Sequence, residues 1–176
     1  EHIQKKIEIS DLVLDIENPR FFHHRAEEGN ATFNQDKLIE LISGPKLKDV
    51  KELLKSIREN GIEDPIWVKA QGNGQYLVVE GNRRTVCLLT LQAQKEENIS
   101  EGIGWKYTNV DLEYVIANVI AEDTTDQEVL IKKATLQHGK KEWGPFNEAA
   151  VVATLSGEPF YMDPQDIGDR LQMTAE

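Results

Sequence analysis

The sequence is poor in cysteine and has no long apolar run. Cys87 is the only cysteine among 176 residues, which excludes an internal disulfide and a metal site built from several thiolates. No stretch approaches the roughly 20 apolar residues that a membrane-spanning helix needs. The N-terminal EHIQKKIEIS also lacks the apolar core of a secretory signal. We therefore expect a soluble, cytoplasmic protein without a membrane partner.

Positive charge is also scarce. Lys and Arg number 20 against 31 Asp and Glu, so the formal net charge is -11 at pH 7. An acidic surface of this size repels a polyanion at long range, which disfavours non-specific coating of DNA. A local basic pocket remains compatible with this charge, because salt screens charges beyond about 10 Å. With 39% hydrophobic and 29% charged residues, the composition is typical of a globular chain.

The spacing of apolar residues predicts a chain of mixed helices and strands. Two β-rich runs, residues 65–70 and 75–80, flank QGNG, which suits a hairpin turn. We expect a first strand that leads into a short turn within residues 5–15, and a loop at 23–36. The other predicted elements are helices at 34–43, 47–60, 82–98, 124–139, 147–155 and 163–173, and a strand at 110–117. This order favours an α+β domain over residues 1–122, followed by a helical extension over 123–176.

The stretch VVEGNRRT, where a strand passes into a helix, is the strongest candidate for a binding site. The first amides of a helix lack internal partners and lie at the positive end of its dipole, so they suit a phosphate. Gly81 allows close approach of the backbone, Asn82 can cap the helix, and Arg83 and Arg84 can bind phosphate oxygens bidentately. Glu80 could orient an arginine, hold a metal ion or act as a base. Alternatively, both arginines are solvated or pair with structural carboxylates.

Four segments, read in order, resemble one family. They are NPR, LLKSIRENGIEDPIWVKA, YLVVEGNRRTVCLL and ATLQHGKKEWGPFNEAA. Over about residues 7–155 the chain is similar to the ParB and sulfiredoxin superfamily, most of all to the N-terminal domain of ParB-type proteins. The resemblance implies a small mixed sheet with flanking helices, followed by a helical C-terminal part. It also implies binding of a nucleoside triphosphate, which is CTP in the partition proteins, together with Mg²⁺.

The resemblance assigns phosphate binding to Gly81, Arg83 and Arg84. Asn82 stands where the family has a glutamate, which leaves Mg²⁺ binding and hydrolysis open. ATLQH covers the family's E-N-x-Q-R segment and retains only its glutamine, Gln137, as a further nucleotide contact. The three departures in this segment are Ala134, Thr135 and His138.

Further candidates lie on either side of this turn. Arg20 in ENPRFF could reach over the same pocket, and Lys140 and Lys141 beside Trp143 could contact nucleic acid. DPQDIGDRLQM is typical of the opening of a helix-turn-helix, so DNA would bind through the C-terminal part or through residues downstream of it. The resemblance also implies a homodimer. No histidine pair has the spacing of a metal site.

The leading interpretation is a nucleotide-binding domain of a DNA-associated protein, with weak NTPase activity left open. One alternative is a metal-dependent nuclease, although Glu80 is the only carboxylate that the sequence places near the turn. Another is a small-molecule kinase of the serine type, in which Glu80 would be catalytic. A third is an interaction domain that has lost catalysis. Sulfinic acid reduction is not expected, because Cys87 falls inside the predicted helix.

Overall fold

A computed structural model of the protein describes residues 2–18, 21–29, 33–137 and 145–171, with the backbone alone at residues 28, 137 and 145–147. Within these ranges the strands are β1 His2–Glu8, β2 Leu12–Leu14, β3 Ile66–Ala70, β4 Tyr76–Glu80 and β5 Tyr114–Ile120. The helices are α1 Phe22–Glu28, α2 Gln35–Ser43, α3 Lys51–Asn60, α4 Asn82–Ser100, α5 Asp126–Gln137, α6 Pro145–Ser156 and α7 Pro164–Leu171.

The five strands form one mixed sheet in the order β1, β5, β3, β4, β2. β1 pairs with β5 and β3 with β4 in antiparallel fashion, whereas β5 runs parallel to β3 and β2 parallel to β4. The predicted hairpin therefore includes the central strand of the sheet, β3. The mixed sheet with flanking helices, followed by C-terminal helices, confirms the predicted fold class.

The chain divides into two compact units. Unit 1 consists of the described residues within 1–14 and 35–122, and unit 2 of those within 15–34 and 123–176. The sheet and helices α2 to α4 belong to unit 1, and α1 joins α5, α6 and α7 in unit 2. The expected division at residue 122 stays a prediction. It assigns residues 15–34 to the domain of the sheet, whereas the described residues within this range belong to unit 2.

Unit 1 is organised around α4, whose middle is buried as its apolar composition predicts. Val86, Cys87, Leu88 and Leu91 are almost fully excluded from solvent. The neighbouring α3 is amphipathic, buries Leu54 and Ile57, and ends at Gly61, which has a positive φ of 80°. The buried residues of α4 all lie between Asn82 and Leu91, so packing fixes the N-terminal half of this helix.

Unit 2 has its own apolar core and a buried ion pair. The core residues lie on α5, α6 and α7 and are Leu130, Ala134, Val151, Leu155, Ile167 and Leu171. The Lys133 ammonium lies 2.5 Å from the Asp15 carboxylate, with side-chain exposures of 9% and 3%. Removing one partner of such a pair leaves a buried charge and typically costs about 3–5 kcal/mol. The pair therefore holds the segment that begins at Asp15 against α5.

The local structure near the N-terminus differs from the expectation in two places. Residues 5–15 contain the expected strand and turn, β1 and a 3₁₀ turn at Ile9–Asp11, but a second strand that was not expected, β2, follows at the opposite edge of the sheet. The expected loop at 23–36 contains most of α1 and the start of α2. Phe22 packs against the core of unit 2, and His23 lies 3.2 Å from Glu27 one turn later. Tertiary packing thus stabilises a helix that the sequence pattern does not indicate.

The buried position of Cys87 makes a prediction about its reactivity. Burial raises the pKa of the Cys87 thiol to about 11, against a smaller opposite effect of the Arg83 charge. The native protein should therefore react slowly with a thiol reagent at pH 8, whereas the urea-unfolded chain should react quickly. Because ionisation is less favourable in the folded state, this thiol should also lower stability as the pH rises toward 11. Equal labelling rates for the folded and unfolded chains would contradict the burial.

Candidate functional site

The turn between β4 and α4 can be built only with glycine. Gly81 has φ 101° and ψ 24°, in the left-handed region that side chains disfavour. A Cβ atom at this position would lie 2.5 Å from Cγ2 and 2.9 Å from Cβ of Ile66, which is itself fully buried on β3. The backbone of Gly81 therefore lies directly against β3, the central strand of the sheet, and α4 begins beside this strand.

The first turn of α4 begins directly after Gly81 and leaves its first amides without a helical partner. The Thr85 amide and hydroxyl both donate to the Gly81 carbonyl, at 2.9 and 3.0 Å. The amides of residues 82–84 precede this first helical hydrogen bond, and no side chain caps the helix at Gly81. The positive end of the helix dipole therefore lies at the turn, where an anion would be stabilised.

Asn82 is the least expected feature of the turn. It is the first helical residue and not the cap, since the left-handed Gly81 takes the cap position, so the expected capping role is wrong. Its side chain is only 3% exposed, and neither Nδ2 nor Oδ1 has a hydrogen-bond partner within the described residues. An unsatisfied buried polar group costs about 1–3 kcal/mol. A ligand that accepts from Nδ2 would relieve this cost.

Arg84 is held by protein groups on both sides of its guanidinium. Its Nη1 donates to the carbonyl oxygens of Asp64 and Pro65, the latter at 3.3 Å, and its Nη2 lies 2.5 Å from Oε2 of Glu80. The side chains of Arg84 and Glu80 are 18% and 12% exposed. The alternative of pairing with a structural carboxylate is therefore observed for Arg84. This arrangement ties the first turn of α4 to the end of β4 and to the segment before β3.

Arg83 points to a different part of unit 1. Its Nη2 donates to the carbonyl oxygen of Asp49 at 2.5 Å, and the residue is half-buried. Asp49 belongs to the connection between α2 and α3, where its amide donates to the Ser43 carbonyl. The two adjacent arginines thus bond to separate backbone segments, Arg83 toward Asp49 and Arg84 toward Asp64 and Pro65. Backbone carbonyls have no side-chain signature, so the sequence could not indicate these partners.

The remaining predicted residues are only partly described. Gln137 is the last residue of α5 in unit 2, where only its backbone is described. Arg20, Lys140 and Lys141 lie outside the described residues, as do His138 and Trp143. In the described part of the chain, no group of three or more His, Cys, Asp or Glu side chains is arranged to hold a metal ion. No Mg²⁺ site is therefore assigned.

Cys87 does not belong to the candidate site. Its side chain is completely buried within α4, and burial raises the pKa of its thiol to about 11. A thiol of this kind is neither accessible nor ionised at neutral pH, so it is not a nucleophile. That the chain does not reduce sulfinic acids stays a prediction, which this burial supports.

The fold and this turn define an α+β domain in which a strand passes into a helix through a left-handed glycine, and part of this domain is similar to a known family. Residues 32–100 match the family model of the ParB N-terminal domain. This match includes α2, α3, the hairpin, the turn and α4. Residues 32–100 are therefore similar to the ParB N-terminal domain, which confirms the resemblance seen in the sequence.

Solved structures of ParB from Caulobacter crescentus are similar to this chain at low identity. The C-terminally truncated protein complexed with CTP-γ-S is 19% identical, with a TM-score of 0.42, and the match covers 98% of this chain and 72% of that one. The truncated protein complexed with the centromeric parS site is 16% identical, with a TM-score of 0.49, and the match covers 97% and 65%. No curated protein matches the chain significantly in sequence.

Within the described residues, no helix is long and apolar enough to cross a membrane.

The close packing of Gly81 against Ile66 predicts an unusually costly substitution. Gly81→Ala should lower the free energy of unfolding by more than about 2 kcal/mol, through left-handed strain and overlap with a buried side chain. Gly74→Ala is the matched control, because Gly74 has φ 87° but open space around the added Cβ. It should cost about 1–2 kcal/mol for strain alone. Equal costs in urea denaturation would contradict the close approach.

Proposed function

We propose that the turn at Gly81–Arg84 binds the phosphates of a nucleoside triphosphate, with CTP as the first candidate. The observation that carries the proposal is the buried, unpartnered amide of Asn82 in the first turn of α4. Its Nδ2 can donate to a phosphate oxygen, as can the amides at the start of the helix. The match of residues 32–100 to the ParB N-terminal domain supports the same location.

The contacts of the two arginines suggest different roles. Arg83 supplies a cation beside the first turn of α4, and its bond to Asp49 orients it. Arg84 positions the turn through Glu80 and two backbone carbonyls, so in this conformation much of its charge is compensated. Arg84 would contact phosphate directly only if its guanidinium exchanged one of these partners. We assign Arg83 the main electrostatic contribution.

The overall charge of the chain limits how the nucleotide is recognised. At a net charge of -11, the protein repels a triphosphate at long range, so affinity must come from contacts within about one Debye length of 10 Å. Neutral donors such as the Asn82 amide and the backbone N–H groups add affinity without charge.

Arg20 and Gln137 are proposed as further contacts, on the basis of the resemblance alone.

The DNA-associated role is proposed for the C-terminal part. In unit 2, α7 is amphipathic and buries Ile167 and Leu171 in the apolar core, as the first helix of a helix-turn-helix would. Lys140 and Lys141 are proposed as nucleic-acid contacts, and a homodimer is proposed from the family.

The nuclease and kinase alternatives both require Glu80, whose carboxylate is paired with Arg84, and no observation favours either.

Removal of the Arg83 charge should weaken nucleotide binding. Calorimetric titration of the parent protein with CTP, ATP and GTP, each with and without Mg²⁺, would identify the preferred nucleotide. Arg83→Ala should then weaken its binding by about 10- to 100-fold, because charge-assisted hydrogen bonds contribute about 1.5–3 kcal/mol. Arg170→Ala on α7 is the control for loss of a cation, and it should change the affinity less than twofold. Unchanged affinity in Arg83→Ala would refute the assigned site.

Asn82 should show opposite effects on stability and on binding. Asn82→Leu replaces the buried amide by an apolar group of similar size, so the ligand-free protein should become more stable by about 1–3 kcal/mol. The same variant should bind the nucleotide more weakly, because the Nδ2 donor is lost. Urea denaturation and calorimetry measure the two effects separately. A variant that is destabilised and still binds with parental affinity would show that Asn82 serves the fold alone.

A further inference from the structure

The edge of the sheet in unit 1 is open along β1. β1 pairs with β5 over its full length from His2 to Glu8, and among the described residues no strand lies on its other side. Residues His2 to Lys6 are all exposed. The outward backbone N–H and C=O groups of such an edge are available to pair with another extended segment.

An apolar groove of about 300 Å³ lies beside this edge. Its apolar lining includes Ile3, Tyr76 and Val119, and its charged lining residues are Lys5 and Glu122. The β1–β5 register pairs Ile3 with Val119 and Lys5 with Ala117, so Ile3 and Lys5 lie on the same face of the sheet. Ile3 is 59% exposed, which is unusual for a strand isoleucine that borders a groove.

The charge of β1 is opposite to that of the chain. Lys5 and Lys6 against Glu8 give β1 a formal charge of +1 in a protein whose net charge is -11. The Lys6 ammonium lies 3.7 Å from the Asp111 carboxylate, and Lys5 is the cation that lines the groove. Antiparallel pairing of β1 with β1 of a second copy, centred on the strand, would place Lys5 opposite Lys5, and like charges in directly opposed positions are destabilising. An acidic segment would instead be attracted, so the edge is better suited to a different, acidic occupant than to a second copy.

We propose that the outer edge of β1 binds an extended acidic segment of a partner protein by strand addition. The backbone of the segment pairs with β1, one of its apolar side chains enters the groove beside Ile3, and a carboxylate two residues away lies near Lys5 on the same face. Backbone pairing supplies affinity in this mode, while the groove and the charges supply specificity. This surface is separate from the turn at Gly81, so the inference does not depend on nucleotide binding.

Fluorescence anisotropy with designed peptides tests the proposal on the full chain. The probe is a labelled nine-residue peptide with threonine at every second position and alternating valine and glutamate at the positions between, so that its valine and glutamate side chains lie on one face. It should bind, whereas the counterpart with lysine in place of glutamate, and a probe N-methylated at alternate residues, should not. Lys5→Glu and Ile3→Ser, both at exposed positions, should each weaken binding about tenfold. Lys55→Glu, the same charge change on the exposed face of α3, should change it less than twofold.

Several results would overturn the proposal. The first is failure of the acidic probe to bind at about 1 mM, which is the weak end of specific affinities. The second is equal binding of the N-methylated or lysine probes. The third is an equal effect of Lys5→Glu and Lys55→Glu on binding. Sedimentation of the chain alone as a dimer that dissociates in Lys5→Glu would assign the edge to a second copy instead. If the acidic probe does not bind, the lysines of β1 would serve only to prevent unwanted pairing of the edge.

Discussion

The contact between the backbone of Gly81 and the side chain of Ile66 is the constraint on which the candidate site depends. It requires both the absence of a Cβ atom and a left-handed backbone, and it sets where α4 begins relative to β3. Because α4 starts there, Asn82 falls into the buried first position of the helix while Arg83 and Arg84 point to different sides. A single glycine therefore determines the position of every polar group at the turn.

The Arg84–Glu80 pair stabilises the same geometry from the other side. It joins the end of β4 to the first turn of α4, and the two carbonyl contacts extend this to the segment before β3. Two adjacent arginines in a sequence are easily interpreted as a phosphate clamp, but these bonds show that such residues need not act together. Arg84 orients the turn, and we propose that Arg83 supplies the charge that a phosphate would meet.

Much of the fold of unit 1 could be predicted from the sequence, because its signals are local. The hairpin follows from QGNG between two β-rich runs, and the buried α4 follows from its apolar middle. The role of Asn82 could not be predicted, because an asparagine after a glycine is equally compatible with a cap and with a first helical residue. The backbone partners of Arg83 and Arg84 depend on tertiary structure alone. The same holds for α1, which is stabilised by packing in unit 2.

The central claim is that the first turn of α4 and the Asn82 amide bind phosphate. Titration of isotope-labelled protein with the preferred nucleotide, followed by two-dimensional ¹H–¹⁵N NMR, tests it most directly. We expect the backbone amides of residues 82–84 and the side-chain NH₂ of Asn82 to show the largest shifts, in proportion to saturation. Saturable shifts confined to other parts of the chain, with these signals unchanged, would contradict it.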